Sequence, residues 1–167
     1  MSITTLFKST ASIAAIALTL GANPVAAQSG AKDPVLGTWQ LDRGKSTFSG
    51  NVPDQRTITF EVVNGGAIRE VARTRENNGA TDEVIYTAKE DGKDYPISNS
   101  VLDTISLKRV DPRTVERTGK VRGHAVETRT RTLSPDGKTL TIKTEGTNNG
   151  IPYDSVQVFE RMPGSNN

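Results

Sequence analysis

Residues 114–144 read TVERTGKVRGHAVETRTRTLSPDGKTLTIKT. Two turn signals, Arg122-Gly123 and Pro135-Asp136-Gly137, cut this stretch into three runs that alternate β-branched and polar side chains with a period of two. A two-residue loop at Arg122-Gly123 pairs Val121 with His124, Gly119 with Val126, Arg117 with Thr128 and Val115 with Thr130. One face of that hairpin then holds every valine. The other sets Glu116 across from Arg129 and Lys120 beside Glu127, opposite charges at cross-strand distance, as a solvated surface requires. In this register Arg117 and His124 point inward. A type I turn at Pro135-Asp136-Gly137, with Gly137 in a bulge, continues the ladder by pairing Leu133 with Thr139 and placing Ile142 opposite Thr130. On the other side, a three-residue loop after Asp111 puts Arg109 opposite Arg117 and Leu107 opposite Gly119; a two-residue loop reverses that strand.

The same punctuation recurs along the chain from Val35 onward. Strands are expected at Leu36 to Asp42, Gln55 to Val63, Ala67 to Glu76, Thr81 to Lys89, Asp103 to Val110, Thr114 to Val121, His124 to Leu133, Lys138 to Thr144 and Ser155 to Met162. Between them lie Gly, Pro and Asn clusters such as Asn64-Gly65-Gly66, Asn77-Asn78-Gly79, Asp91-Gly92-Lys93 and Asn148-Asn149-Gly150. No apolar pattern of helical spacing exceeds two turns there, so the fold class is all-β. Short links make sequential strands antiparallel neighbours. An up-and-down meander of about 8–10 strands can close into a barrel and lose its exposed edges, whereas a two-sheet sandwich more often needs long crossovers.

The chain has 167 residues, 21 Lys+Arg against 19 Asp+Glu, one histidine and no cysteine. Much of its apolar content sits at the start: about 16 apolar side chains fall in the first 27 residues, leaving roughly 29% in the remainder. Lys8 precedes an apolar run from Ala11 to Leu20, and Pro24-Val25-Ala26-Ala27 supplies the small residues a signal peptidase requires. The expected organisation is a signal peptide over 1–27, a flexible mature N-terminus over 28–34, a barrel over 35–162 and a tail over 163–167. Cleavage after Ala27 predicts a periplasmic or secreted protein. The apolar run is short for a membrane span, and no cysteine follows the cut to carry a lipid. Without disulfides, such a fold must hold by packing and hydrogen bonds. Charges of both signs alternate along the mature chain, which argues against a nucleic-acid partner.

The interior deduced from the hairpin is mixed. Ile105, Leu107, Val115, Val121, Val126, Leu140 and Ile142 share it with Thr128, Thr130, Thr132, Arg117, His124 and, for a three-residue Asp111 loop, Arg109. A buried unpaired guanidinium costs several kcal/mol, so an inward arginine must meet a carboxylate such as Asp103 or Glu160, ordered water or a bound anion. The expected ligand-binding set is therefore Arg117, His124, Arg109, Thr128, Thr130, Leu107 and Ile142. Catalytic or metal chemistry finds little support. A lone histidine without thiols, and acids lacking calcium-loop spacing, do not form a metal site; no cofactor is implied. There is no Gly-x-Ser-x-Gly turn to pair with His124, and no phosphate-cradling glycine loop.

The segment Asp33-Pro34-Val35-Leu36-Gly37-Thr38-Trp39-Gln40-Leu41 opens the first strand with Gly-x-Trp and resembles the first signature of the lipocalins and related calycin barrels. Together with Lys45-Ser46-Thr47-Phe48 and Ser134-Pro135-Asp136-Gly137-Lys138-Thr139-Leu140, it is similar to small exported bacterial lipocalin-like proteins. The resemblance implies a barrel floor closed by Gly37 and Trp39 and covered by an arginine from the last strand, here Arg161. Strict alternation puts Arg161 on the Phe159 face and away from Val156 and Val158, so a bulge is required. The resemblance also implies a cup for a small hydrophobic or amphiphilic molecule, and the inward arginine suggests an acidic head. Two alternatives stand beside it: a structural or interaction barrel with a filled core and an envelope protein partner, and a barrel enzyme of unknown reaction.

Overall fold

The computed structural model describes residues 33–165. The signal segment, its cleavage point at Ala27 and most of the 28–34 segment lie outside these residues. Ten antiparallel strands close into one barrel in meander order: β1 (Gly37–Phe48), β2 (Gln55–Val63), β3 (Ala67–Arg75), β4 (Thr81–Ala88), β5 (Asp91–Ser98), β6 (Thr104–Asp111), β7 (Thr114–Val121), β8 (His124–Leu133), β9 (Thr139–Asn148) and β10 (Ile151–Arg161). β1 pairs with both β2 and β10, so the sheet has no free edge. Among the described residues the only helical turn is a 3₁₀ turn at Asn64–Gly66.

The β7–β8 loop has two residues, with Arg122 and Gly123 at φ 51° and 79° and Val121 opposite His124. Asn149-Gly150 makes the β9–β10 loop the same way, with φ 51° and 79°. Two positive φ angles give the type I′ twist that matches right-handed strands, which favours Asn-Gly and here also accommodates Arg-Gly.

The two strands of the central hairpin obey the alternation differently. β7 turns Val115, Arg117 and Gly119 inward, all of them buried. β8 does not keep the simple register: Lys120 faces Ala125 but Gly119 faces Glu127, so Val126 is an inserted residue. Beyond this bulge every side chain changes face. Glu127, Arg129, Arg131 and Leu133 line the interior, opposite Gly119, Arg117, Val115 and Arg113's backbone. Thr128 is exposed, Thr130 lies on the outer face between Glu116 and Lys143, and Thr132 is exposed. Those threonines, expected inside, are outside because one extra residue inverts a period of two.

Other differences have equally local causes. The Asp111 loop has two residues, Pro112 and Arg113, and this alone would reverse β6. An irregularity between Arg109 and Asp111 restores the face, so Ile105, Leu107 and Arg109 still point inward, opposite Gly119, Arg117 and Val115. β9 pairs Leu133 with Leu140 and Arg131 with Ile142, one residue from the expected ladder. Strand β5 carries Pro96 and four exposed residues at its start, a poor strand signature, and it joins β4 only through Ile85–Ser98 and Tyr86–Ile97. β1 runs past Asp42 to Phe48 across a wide bulge, in which the Asp42 carboxylate accepts from the amides of Gly44 and Lys45 at 3.0 and 3.2 Å.

Candidate functional site

The barrel floor is the end at which β1 begins. Trp39 is fully buried there, and its indole donates to the Val35 carbonyl at 2.8 Å. The Arg161 guanidinium lies 4.1 Å from the Trp39 ring centroid and donates to the carbonyls of Gly137 at 2.9 Å, Leu36 at 2.7 Å and Pro34. Trp39 and Arg161 are cross-strand partners, so no bulge is needed in β10; its inner face carries Gln157 and Phe159 rather than Val156 and Val158. Gly37 sits at φ +117°, and a Cβ there would come within 2.6 Å of the Ser165 carbonyl. Cation–π stacking of this kind contributes about 0.5–2 kcal/mol. Above it pack Leu41, Ile58, Phe60, Ile68, Leu140, Ile142 and Phe159, all buried, which fills this half of the lumen.

A layer of ionised side chains crosses the barrel on top of that core. Nearest the floor, Arg131 stacks on Phe60 at 4.5 Å and reaches Glu90 at 3.3 Å. Glu90 also accepts from Arg109 at 2.5 Å, and Arg109 is completed by Asp33. Two cations meet two anions in this group. Higher up, Arg117 and Arg129 are direct cross-strand partners, a repulsive arrangement that needs carboxylates around it. Glu127 pairs with Arg117 and lies 3.9 Å from Arg129, while Glu70 reaches from the opposite wall to within 3.7 Å of Arg129. The phenols of Tyr86 and Tyr153 donate to Glu70 and to Glu127 respectively, the latter at 2.8 Å. Burial pushes the Glu127 carboxyl up, but the charges of Arg129 and Arg117 outweigh it and bring it down to about 2. Burial, and then the bond to Glu127, raise the Tyr153 phenol to about 12.

Arg56 belongs to the same upper group, near Arg129 and Arg117 and attracted by Glu70 and Asp82. It projects from β2 on the face of Ile58 and Phe60, and its Nε is buried without a partner. Burial, then the Arg129 charge, lower its pKa to about 10. Asp82 lies exposed at the rim without contacting it. Glu70 and Glu127 lie within ion-pair reach of Arg117 or Arg129 but not of Arg56, and Glu76, Asp82 and Asp154 add carboxylates at the cavity wall. Arg129 Nε and Thr144 Oγ1 are likewise buried without partners. Arg56, Arg129 and Thr144 all border one cavity of about 400 Å³ that opens at the barrel mouth.

Of the residues expected at the site, Arg117, Leu107 and Ile142 are buried in the lumen, but Arg117 is neutralised by Glu127. Arg109 is half-buried in the lower ion network. His124 is exposed beside the β7–β8 turn and does not enter the lumen, and Thr128 and Thr130 face away from it. Arg56, Arg129 and Thr144 were not expected. The alternation Arg56, Ile58, Phe60 marks the first; Arg129 shares parity with Leu133, but the bulge hides that relation.

The fold is a lipocalin/calycin-like one: a closed ten-strand antiparallel meander barrel. No family model matches the chain, and no curated protein matches it. Solved structures do. Wild-type fluorescent protein UnaG is similar with a TM-score of 0.51 and 11% identity over 76% of this chain and 96% of UnaG. A single-residue variant of UnaG gives a TM-score of 0.52 at 11% identity over 77% and 96%. The siderocalin Ex-FABP gives 0.39 at 11% identity over 77% and 74%. At these identities the likeness is one of fold.

Proposed function

We propose that this protein is an exported binder of a small amphiphile whose anionic head sits in the mouth cavity between Arg56 and Arg129. The observation that carries this is the Arg56 guanidinium, whose Nε is buried without a partner, together with the unpartnered Arg129 Nε and Thr144 Oγ1 bordering the same cavity. A carboxylate there would satisfy donors that otherwise remain orphaned. Arg117 is not the anchor in this reading, because Glu127 already holds it. A barrel serving only as a scaffold has no use for an inward guanidinium with a buried, unpartnered Nε beside a cavity of about 400 Å³. That volume far exceeds the ~30 Å³ share of a single water.

Calorimetric titration with octanoate and with octanol tests the reading. Octanoate is expected to bind the wild-type protein at least tenfold more tightly than octanol, and Arg56→Met is expected to remove that preference. Equal binding of both compounds, or none of either, overturns it. The export component is checked separately by the mature N-terminus, expected at Gln28, of protein recovered from the periplasm or medium.

A further inference from the structure

We infer that the apolar part of the ligand lies in a groove along the barrel rim and does not descend into the lumen, so the substrate class is an amphiphile bound head-in and tail-out. This rests on the anion site proposed above. Below that site the lumen is closed: Ile58, Phe60, Ile105, Leu107, Leu140 and Phe159 are fully buried side chains, and the Arg117–Glu127 and Arg131–Glu90 pairs cover them. A hydrocarbon chain going down would have to separate buried ion pairs, each costly to break.

Beside the mouth lies a second and larger cavity, of about 860 Å³, bordered by Val101, Leu102, Val121, Val126, Ile151 and Tyr153. Ser49, Gly50 and Tyr153 are walls of both cavities. Tyr153 divides them. Its ring passes over Gly146, where a Cβ would come within 2.7 Å of it, and its hydroxyl is held by Glu127 on the ionic side. The phenol is thus polar toward the head and apolar toward the groove. Val101 and Ile151 are 78% and 71% exposed, apolar surface without a partner directly beyond the divider. Charge complementarity selects the head, and the continuity of the two cavities at Tyr153 selects the same molecule's tail as the groove's occupant.

Calorimetry with butanoate, octanoate and dodecanoate separates the two parts. In the wild-type protein affinity is expected to rise with chain length by up to about fourfold per methylene, the increment of apolar burial. In Val101→Ser/Ile151→Ser, both positions being exposed, the increment is expected to fall to about half that or less, with butanoate unchanged; Arg56→Met is expected to weaken all three acids equally and keep the increment. An identical chain-length increment in the rim variant, or none in the wild type, overturns the tail-out placement and leaves the anion site standing. Failure of every acid to bind overturns both.

Discussion

Glu127 is the residue on which the upper ion layer turns. It contacts Arg117, Arg129 and Tyr153, and its removal would leave two buried guanidiniums sharing Glu70. Glu127→Gln is expected to cost about 3–5 kcal/mol, measured by urea unfolding, and a second change, Arg117→Met, is expected to return most of it. The pH dependence follows from the same group. Its folded pKa of about 2 lies below the ordinary 4.5, so its stabilisation is complete above about pH 4.5 and is lost as pH falls toward 2. In Glu127→Gln that acid-side loss is expected to shrink. Arg56 acts in the opposite sense, since burial and the Arg129 charge outweigh the attraction of Glu70 and Asp82, neither of which pairs with it directly. Arg56→Met is expected to stabilise by about 1–2 kcal/mol, roughly 4–8 °C in melting temperature, while weakening carboxylate binding. Such a gain in stability with a loss of affinity distinguishes a binding residue from a structural one.

At the scale of the element, the bulge in β8 decides what lines the lumen. Deleting Val126 would close the bulge, leaving Ala125 opposite Lys120 and Glu127 opposite Gly119, so that Glu127, Arg129 and Arg131 keep their inward positions. The variant is expected to keep its cooperative thermal transition by circular dichroism and to lose only the packing of the half-buried Val126; a flipped β8 would show as loss of that transition. This bulge also explains how far the sequence could be read. The meander, the loops at Arg122-Gly123 and Asn149-Gly150, and the inward side of β7 follow from turn chemistry and a period of two. The inward side of β8 does not, because no glycine or proline marks Ala125 to Glu127 and both faces of the strand carry threonines or charges. Arg117 was legible as an inward cation, but its partner was not: the same inserted residue that hid Arg129 placed Glu127 on the wrong face. Strand β5 was missed for a separate reason, since Pro96 and the run of exposed residues before it look like loop.

For the molecule as a whole, the two ends of the barrel have different tasks. The floor is locked by Arg161, which joins β10 to the Pro34–Trp39 segment through stacking and the Pro34 and Leu36 carbonyls, and to the β8–β9 turn through the Gly137 carbonyl. Arg161→Ala is expected to cost about 3 kcal/mol in urea unfolding, without changing octanoate affinity. The mouth, by contrast, carries the Arg56 guanidinium and the apolar rim. Because the chain contains a single tryptophan, and Trp39 lies sealed beneath Arg161 at the closed end, its intrinsic emission reports on this lock. The emission should red-shift when the protein unfolds and stay unchanged when ligand enters the far end, giving the molecule a built-in optical gauge of its integrity that is blind to its cargo.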